Sequence, residues 1–552
     1  MLIEYSENTD RSVSFRRIIW KVGIYMEKPW FKHVPEGNPT TIDIPEIALQ
    51  DLFYQSVKTY PDHVAVTFYD KTMTYQGLYQ LIQNAAAALH HLGVGKGDRV
   101  ALMLPNSPQY PISYYATLVC GAIVVQINPM YKAEELLHVL NDSEAETIIV
   151  FEPLLPLVTA IKDKTSLINI IPVSFEKETK FNEMLKTRGY PVPKVEIDAK
   201  NDVAVLQYTG GTTGRSKGAM LTHYNLVANT LQSYSTSETS TELGKERFLT
   251  ISPLFHVYGM TSCMNLTFYI GGNMLLLPKF DVEETVSIIE KTKPTVFPAV
   301  PTMYIALLNY YQVKKFDLSF LKTCTSGSAP LPVKVIETFN ELSGTSVAEG
   351  YGLSEASPVT HRNPVSGLQK HGSIGIPIPN TDSKIVDIAT GKEELPIGEV
   401  GELIVKGPQV MKGYWKMPME TDETIRDGWL YTGDLAKMDE DGFFYIVGRK
   451  KELIIASGYN VYPIEIEDVL YKHPKVMEAA VVGIPDEYRG ETIKAFIVLK
   501  EGEQATEEEI IAYCREKLAA YKCPRFVEFM AEFPKTAVGK ILKRTLKEQL
   551  RA

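Results

Sequence analysis

Short, unbroken apolar runs recur through the first third of the chain, each separated from the next by a stretch with helical spacing. RVALML (99–104), AIVVQI (122–127) and ETIIVF (146–151) are three of them. Runs that are apolar at every position suit strands covered on both faces, and intervening helices are the crossovers that parallel strands require. One such helix is well marked. Thr74 stands as its cap, Leu78, Leu81, Ile82, Ala85, Leu89 and Leu92 recur at helical spacing, and Gly93 ends the run. The fold class this predicts is α/β, with a large N-terminal domain of parallel-rich sheets flanked by helices.

The pattern changes near Lys451. A helix (464–472), two strands (476–483 and 492–499), another helix (506–519) and a short strand predict a small C-terminal α+β unit. The chain therefore divides into a tail and lead-in (1–48), a large domain (49–450) and a small one (451–552). The first 25 residues mix basic positions with a very short apolar stretch and no cleavage site, which suits a dispensable tail better than a signal peptide. The polar stretch 233–246, SYSTSETSTELGKE, reads as a solvated loop.

Composition excludes several classes. Lys plus Arg is 57 against 67 for Asp plus Glu, a net charge of −10, which argues against broad nucleic-acid binding and against attraction to anionic membranes. Five scattered cysteines form no disulfide framework or zinc cluster, so a reduced cytoplasm is the simplest setting. No charge-free run is long enough to span a bilayer.

Four stretches carry chemistry. YTGGTTGRSKG (208–218) packs glycines, hydroxyls and cations after an apolar strand, so that backbone N–H groups and Lys217 converge on phosphate. It is not the common P-loop, because no G-K-[ST] occurs. A helix is expected to open near Thr222. In EGYGLSEAS (349–357), Tyr351 offers a face to a planar base and Glu355 an oxygen to a magnesium ion. In DGWLYTGDLAKMDEDGFFYIVGRKK (427–451), Asp434 suits ribose hydroxyls and Arg449 a ribose or phosphate oxygen. PKTAVGKILKR (534–544) places Lys540 after a glycine, in a loop able to bring its ammonium to phosphate. Taken singly, each stretch has an ordinary alternative: a turn, a surface ion or a solubilising basic end.

In this order and spacing the four stretches resemble the signature set of the adenylate-forming superfamily, which comprises acyl-CoA synthetases, luciferases and adenylation domains. Residues 427–451, continuing into GRKKELIIASGYNVYPIEIE, are most similar to the bacterial long-chain fatty acyl-CoA synthetases. The likeness runs from about Leu49 to Leu550.

The resemblance implies ATP-dependent ligation of a medium- to long-chain fatty acid to coenzyme A through an acyl-AMP intermediate, with Mg2+ required. By similarity, Thr209, Gly210, Gly211, Thr212, Thr213, Gly214 and Lys217 hold the β- and γ-phosphates. Gly327, Gly350 and Tyr351 frame the adenine, and Ser354 touches the phosphates. Glu355 and Thr209 position the metal, and Asp434 and Arg449 hold the ribose. Lys540 is the catalytic lysine of adenylation, with Glu355 beside it. Lys451 is the hinge about which a mobile small domain turns. His256 and Gly352 belong to the acyl pocket, and Gly458 and Tyr459 to the coenzyme A site. Gly352 stands where acetyl-specific relatives carry a blocking Trp, and His256 has a satisfied core histidine as its competing reading. The implied partners are small molecules. No nucleic acid is expected, any membrane contact is peripheral at the inner face, and a homodimer stays open.

Other readings survive on sequence. An amino-acid adenylation domain carries an Asp in the stretch matching LFHVYG (254–259), where this chain has none; nor is a carrier domain expected after Lys540. A luciferase-like oxygenase shares every nucleotide motif. A non-catalytic nucleotide- or fatty-acid-binding protein would have no use for Lys540, Glu355 and Asp434 together.

Overall fold

The computed structural model describes residues 28–186, 189–209, 215–456, 459–486, 490–536 and 539–549. The expected 25-residue tail thus lies outside the described residues. From Lys28 onward the chain is packed. Trp30 is buried edge-on against Phe444 at 6.0 Å, and Lys32 and His33 both reach Asp441.

The unbroken apolar runs do lie in a sheet buried on both faces. Val203–Thr209, Ile123–Gln126, Arg99–Met103, Thr147–Phe151 and Asn169–Val173 pair in parallel in that order. Alternate residues of one strand feed different cores: Val100 and Leu102 join one cluster, Ala101 and Met103 another. The marked helix is Tyr75–His91, and its cap Thr74 accepts the N–H of Gly77.

A second large sheet runs parallel through Val347–Gly352, Thr323–Ser326, Val296–Ala299, Arg247–Thr250, Asn273–Leu276 and Val64–Phe68. A third sheet, antiparallel throughout, includes Gly401–Lys406, Trp429–Met438 and Phe444–Arg449. Nothing in the strand–helix alternation announced it. The fourth is the small C-terminal sheet, in which Val476–Asp486 and Gly490–Leu499 pair beside the helices Pro463–Tyr471 and Glu507–Lys517. The chain passes from the third sheet to the fourth through the single turn Lys450–Glu452.

One local expectation holds with an addition, and another needs correction. The helix at Thr222 does open there, at His223–Ser235, but a strand, Lys217–Thr222, comes first and pairs antiparallel with Val203–Thr209. The strands on either side of the glycine-rich stretch therefore form an antiparallel pair. Residues 233–246 are only in part a solvated loop: Glu238, Thr239, Glu242, Leu243 and Lys245 are exposed, but Ser233, Ser235, Ser237 and Glu246 are buried. Local carbonyls accept the hydroxyls of Ser235, Thr236, Ser237, Ser240 and Thr241, so most of these polar side chains keep a bond, though the buried Ser233 hydroxyl has none. Thr295 and Lys322 engage the Glu246 carboxylate.

Candidate active site

A cavity of about 3160 Å3 opens at the carboxyl ends of the parallel strands and extends to the small C-terminal unit. Thr209 and Lys217 reach it from the two arms of the hairpin, directly opposite one another across the strands. Gly210, Gly211, Thr212, Thr213 and Gly214 lie outside the described residues. His138 Nε2 donates to the Ser216 carbonyl (2.8 Å), which ties the hairpin to a neighbouring helix.

Opposite the hairpin, Gly350, Tyr351 and Gly352 end one parallel strand, and Gly327 follows its neighbour. Tyr351 donates its hydroxyl to Oδ2 of Asp434 at 2.5 Å. Arg449 Nε donates to Oδ1 of the same carboxylate at 3.0 Å. Asp434 and Arg449 face each other across the antiparallel pair of the third sheet, so strand register alone brings them together. The Asp434 charge is the largest influence on Arg449 and holds its guanidinium above its ordinary value. Burial, then Asp434, pushes the Tyr351 hydroxyl well up, so it stays a donor at neutral pH.

Glu355 accepts the Tyr414 hydroxyl at 2.7 Å, and the Tyr414 ring lies 5.0 Å from the Lys217 ammonium. The hairpin lysine and the carboxylate are thus linked through one aromatic residue that no motif marked. Ser354 lies in the same turn as Glu355 and also lines the cavity. Glu402 is another unmarked residue. It accepts Gly433 N–H at 3.2 Å and Lys450 Nζ at 2.8 Å, fixing the loop before Asp434.

Lys540 enters from the C-terminal side. Thr536 and Lys540 close a small turn on each other, in which Lys540 N–H meets Thr536 Oγ1 at 3.1 Å and Thr536 N–H meets the Lys540 carbonyl at 2.8 Å. Gly539 takes φ +78° to make that turn, a left-handed conformation natural to glycine, and lies against Thr302 of the large domain. The Lys540 side chain is open to water through the cavity mouth, yet protein surrounds it on most sides. Burial first, then Arg449, lowers its ammonium to about 8, although Asp434 and Glu452 work the other way. Lys451 is lowered too, by burial and then by Lys217 and Arg449. Cations therefore crowd this cavity before any anion arrives.

The same C-terminal stretch holds a residue the sequence left without a role. Lys543 bridges Glu467 (2.7 Å) and Glu452 (3.3 Å), joining the last helix to the turn between sheets. Burial alone would lower Lys543, but the two carboxylates outweigh it and raise it.

His256 lines the cavity, and its Nδ1 accepts the Tyr258 N–H at 3.3 Å. Burial, with Lys540 adding to it, brings its imidazole down to about 4, so it is neutral at physiological pH. Gly352 is more constrained than an open pocket requires. A Cβ there would lie 2.3 Å from the Pro358 carbonyl oxygen, so the close approach of two strands itself demands glycine. Tyr459 stacks on Tyr521 at 4.7 Å and is 57% exposed, away from the residues lining the cavity. Gly458 lies outside the described residues.

Comparison with known proteins fits this geometry. Residues 53–415 match the family model described as AMP-binding enzyme, and residues 465–540 match the AMP-binding enzyme C-terminal domain. The long-chain-fatty-acid–CoA ligase of Bacillus subtilis is 47% identical, covering 95% of this chain and 98% of that protein. An Escherichia coli protein of the same name is 41% identical over 95% of this chain and 99% of its own length. Among solved structures, ATP-bound MatB from Rhodopseudomonas palustris superposes with a TM-score of 0.84 at 31% identity, covering 92% and 99% of the two chains. A long-chain-fatty-acid-CoA ligase from Archaeoglobus fulgidus gives a TM-score of 0.70 at 31% identity, covering 90% and 99%.

Proposed function

Since the chain belongs to the AMP-binding enzyme family, matched over most of its length, we propose that it joins a fatty acid to coenzyme A in two steps on one surface. In the first, a carboxylate oxygen of the acid attacks the α-phosphorus of ATP and pyrophosphate leaves. In the second, the coenzyme A thiol attacks the acyl carbon of the mixed anhydride, a thioester forms and AMP leaves. The observation that carries this reading is the meeting of Lys540 with the Tyr351–Asp434–Arg449 cluster in a single cavity.

The first step brings anion to anion, so positive charge must stand where the two meet. Lys540 supplies it from the C-terminal side, and Lys217 and Arg449 supply it from the other walls. Tyr351 lies against the base, with Gly327 and Gly350 leaving room for the ring. Asp434, its geometry fixed by Tyr351 and Arg449, accepts the ribose hydroxyls. Neutral His256 stands at the acid's entrance without adding charge beside the carboxylate.

Glu355 and the Thr209 hydroxyl would hold a magnesium ion. Among the described residues no group of three or more His, Cys, Asp or Glu forms a metal cage. A lone carboxylate with a hydroxyl suits magnesium, which keeps waters and takes most of its remaining ligands from phosphates. When bound, such an ion neutralises phosphate charge.

The turn at Lys450–Glu452 is where the small unit pivots between the two steps, with Lys451 as the hinge. Tyr459, exposed on the small unit, would meet coenzyme A after this rotation. Five free, buried cysteines support a reducing compartment, hence the cytoplasm. Among the described residues no helix is long and apolar enough to cross a membrane.

The test is coenzyme A-dependent AMP release across acids of increasing length. Each buried methylene contributes up to about 0.8 kcal/mol, so kcat/KM is expected to climb steeply until the pocket is full. A flat profile, or a best substrate that is an amino acid, would sink the assignment.

A further inference from the structure

Arg362 lies beneath the proposed adenine strand, paired across the sheet with Gly350. Its side chain lines the main cavity, with its Cγ 3.8 Å from where a Cβ on Gly350 would stand. The guanidinium then extends to the C-terminal end of the helix His223–Ser235, where Nη1 donates to Thr236 Oγ1 at 2.8 Å. That is its only hydrogen bond among the described residues, and Nε is buried with no partner. No carboxylate pairs with it there. Burial lowers it to about 10, with Tyr258 opposing, so it remains charged at neutral pH.

A partly buried guanidinium without a counter-ion is costly, and here Nη1 has an acceptor while the buried Nε has none. The weak negative end of a helix compensates only part of that charge. The surroundings make the cost harder to explain as packing. Beyond Gly327 and Tyr258, the cavity wall turns apolar, with Tyr234, Phe248, Ile270 and Val296. A purely aliphatic chain would place methylenes beside this cation and leave its donors unmet.

We infer that Arg362 is a specificity residue for the acid. It receives a second oxyanion, carried by the acid at a distance from the carboxylate that is activated. The pocket would then prefer an α,ω-dicarboxylic acid of one matched length over the monocarboxylic acid of the same length. This rests on reading the cavity as an acid-activating site. The chemistry favours the inference: a planar fork of donors matches a carboxylate two bonds at a time. Arg362 takes no part in the bond changes, so its effect belongs in binding, in KM more than in kcat.

The experiment measures thioester formation from matched monocarboxylic and α,ω-dicarboxylic acids over a range of lengths. It compares the unaltered protein with R362M and R362K. The quantity read is the ratio of kcat/KM for the two acids within each protein, so any loss of folded material cancels. The unaltered protein is expected to show a maximum in that ratio at one length. In R362M the maximum should fall about 10- to 100-fold, mainly through KM for the diacid. R362K should keep part of it, because a point charge remains while the fork is gone. A ratio without a maximum, or the same maximum in all three proteins, would overturn the inference while leaving the ligase reading intact. No thioester from either acid at any length would overturn the ligase reading, and this inference with it.

Discussion

The two walls of the cavity are built on opposite plans. On the large-domain side, Asp434 is buried and already engaged by Tyr351, Arg449 and the Thr432 hydroxyl, which accepts its own backbone N–H. On the C-terminal side, Lys540 has a fixed backbone turn but a side chain with no hydrogen-bond partner among the described residues, and its charge is resisted by burial and then by Arg449. On the proposed reading, the first wall is preorganised for a neutral sugar and base, and the second would hold a charge in tension until phosphate and carboxylate arrive to satisfy it. Preorganisation lowers the cost of binding, whereas a charge stabilised only when the reaction develops lowers the barrier.

Removing the tensed charge should therefore have the largest effect, and only on one step. Lys540→Ala is expected to cut pyrophosphate release about 100-fold or more, as losing one well-placed stabilising contact does elsewhere. Thioester formation from a supplied acyl-adenylate should continue, since the anionic encounter is then past. Equal loss in both steps would mean the two walls share one role. Asp434→Asn attacks the preorganised wall. One lobe becomes an NH2 that faces either Arg449 or the Tyr351 hydroxyl. The loss is expected to be about 10- to 100-fold in kcat/KM for ATP, with most of it in KM. If kcat alone fell, the comparison would be wrong.

The contrast also predicts a pH dependence. The Lys540 ammonium is charged below about 8 and neutral above it. Its contribution should be complete at pH 7 and should fall about tenfold per unit once pH rises through 8 to 9, read in kcat/KM for ATP. Bound phosphates favour the charged form, so the limb in kcat should lie at higher pH. Lys540→Arg, which keeps its charge throughout, should remove the limb even if it lowers the rate. An unchanged limb in that variant would assign it to another group.

The two plans were unequally legible in the sequence. Asp434 and Arg449 stand 15 positions apart, and only the hairpin Trp429–Met438 with Phe444–Arg449 makes them neighbours. Each could be singled out by its motif, but their mutual bond could not. The parallel core was readable because Val100 to Met103 are apolar on both faces, a local property. Tyr414, Glu402 and Lys543 were not readable, because each acts on a residue dozens of positions away or more. Arg362 was hidden differently: nothing local says that an arginine lacks a carboxylate. Residues 233–246 misled because hydroxyl-rich composition resembles a loop when its bonds close within one turn.

The smallest expected effect tests the preorganised wall most finely. Tyr351→Phe keeps the ring against which the base would lie and removes only the hydroxyl on Asp434 Oδ2. Because burial keeps that hydroxyl protonated, it is a donor throughout the working range, and its loss adds no pH dependence of its own. Asp434 keeps Arg449 on Oδ1, so its charge and strand position survive. What is lost is the fixed direction of one carboxylate lobe, a contribution of about 0.5–1.5 kcal/mol, or roughly two- to tenfold. It should appear as a higher KM for ATP with kcat nearly unchanged, and the alkaline limb of Lys540 should not move. A loss as large as that of Asp434→Asn would show that Tyr351 holds the nucleotide itself through its hydroxyl. No loss at all would show that Arg449 alone orients the carboxylate.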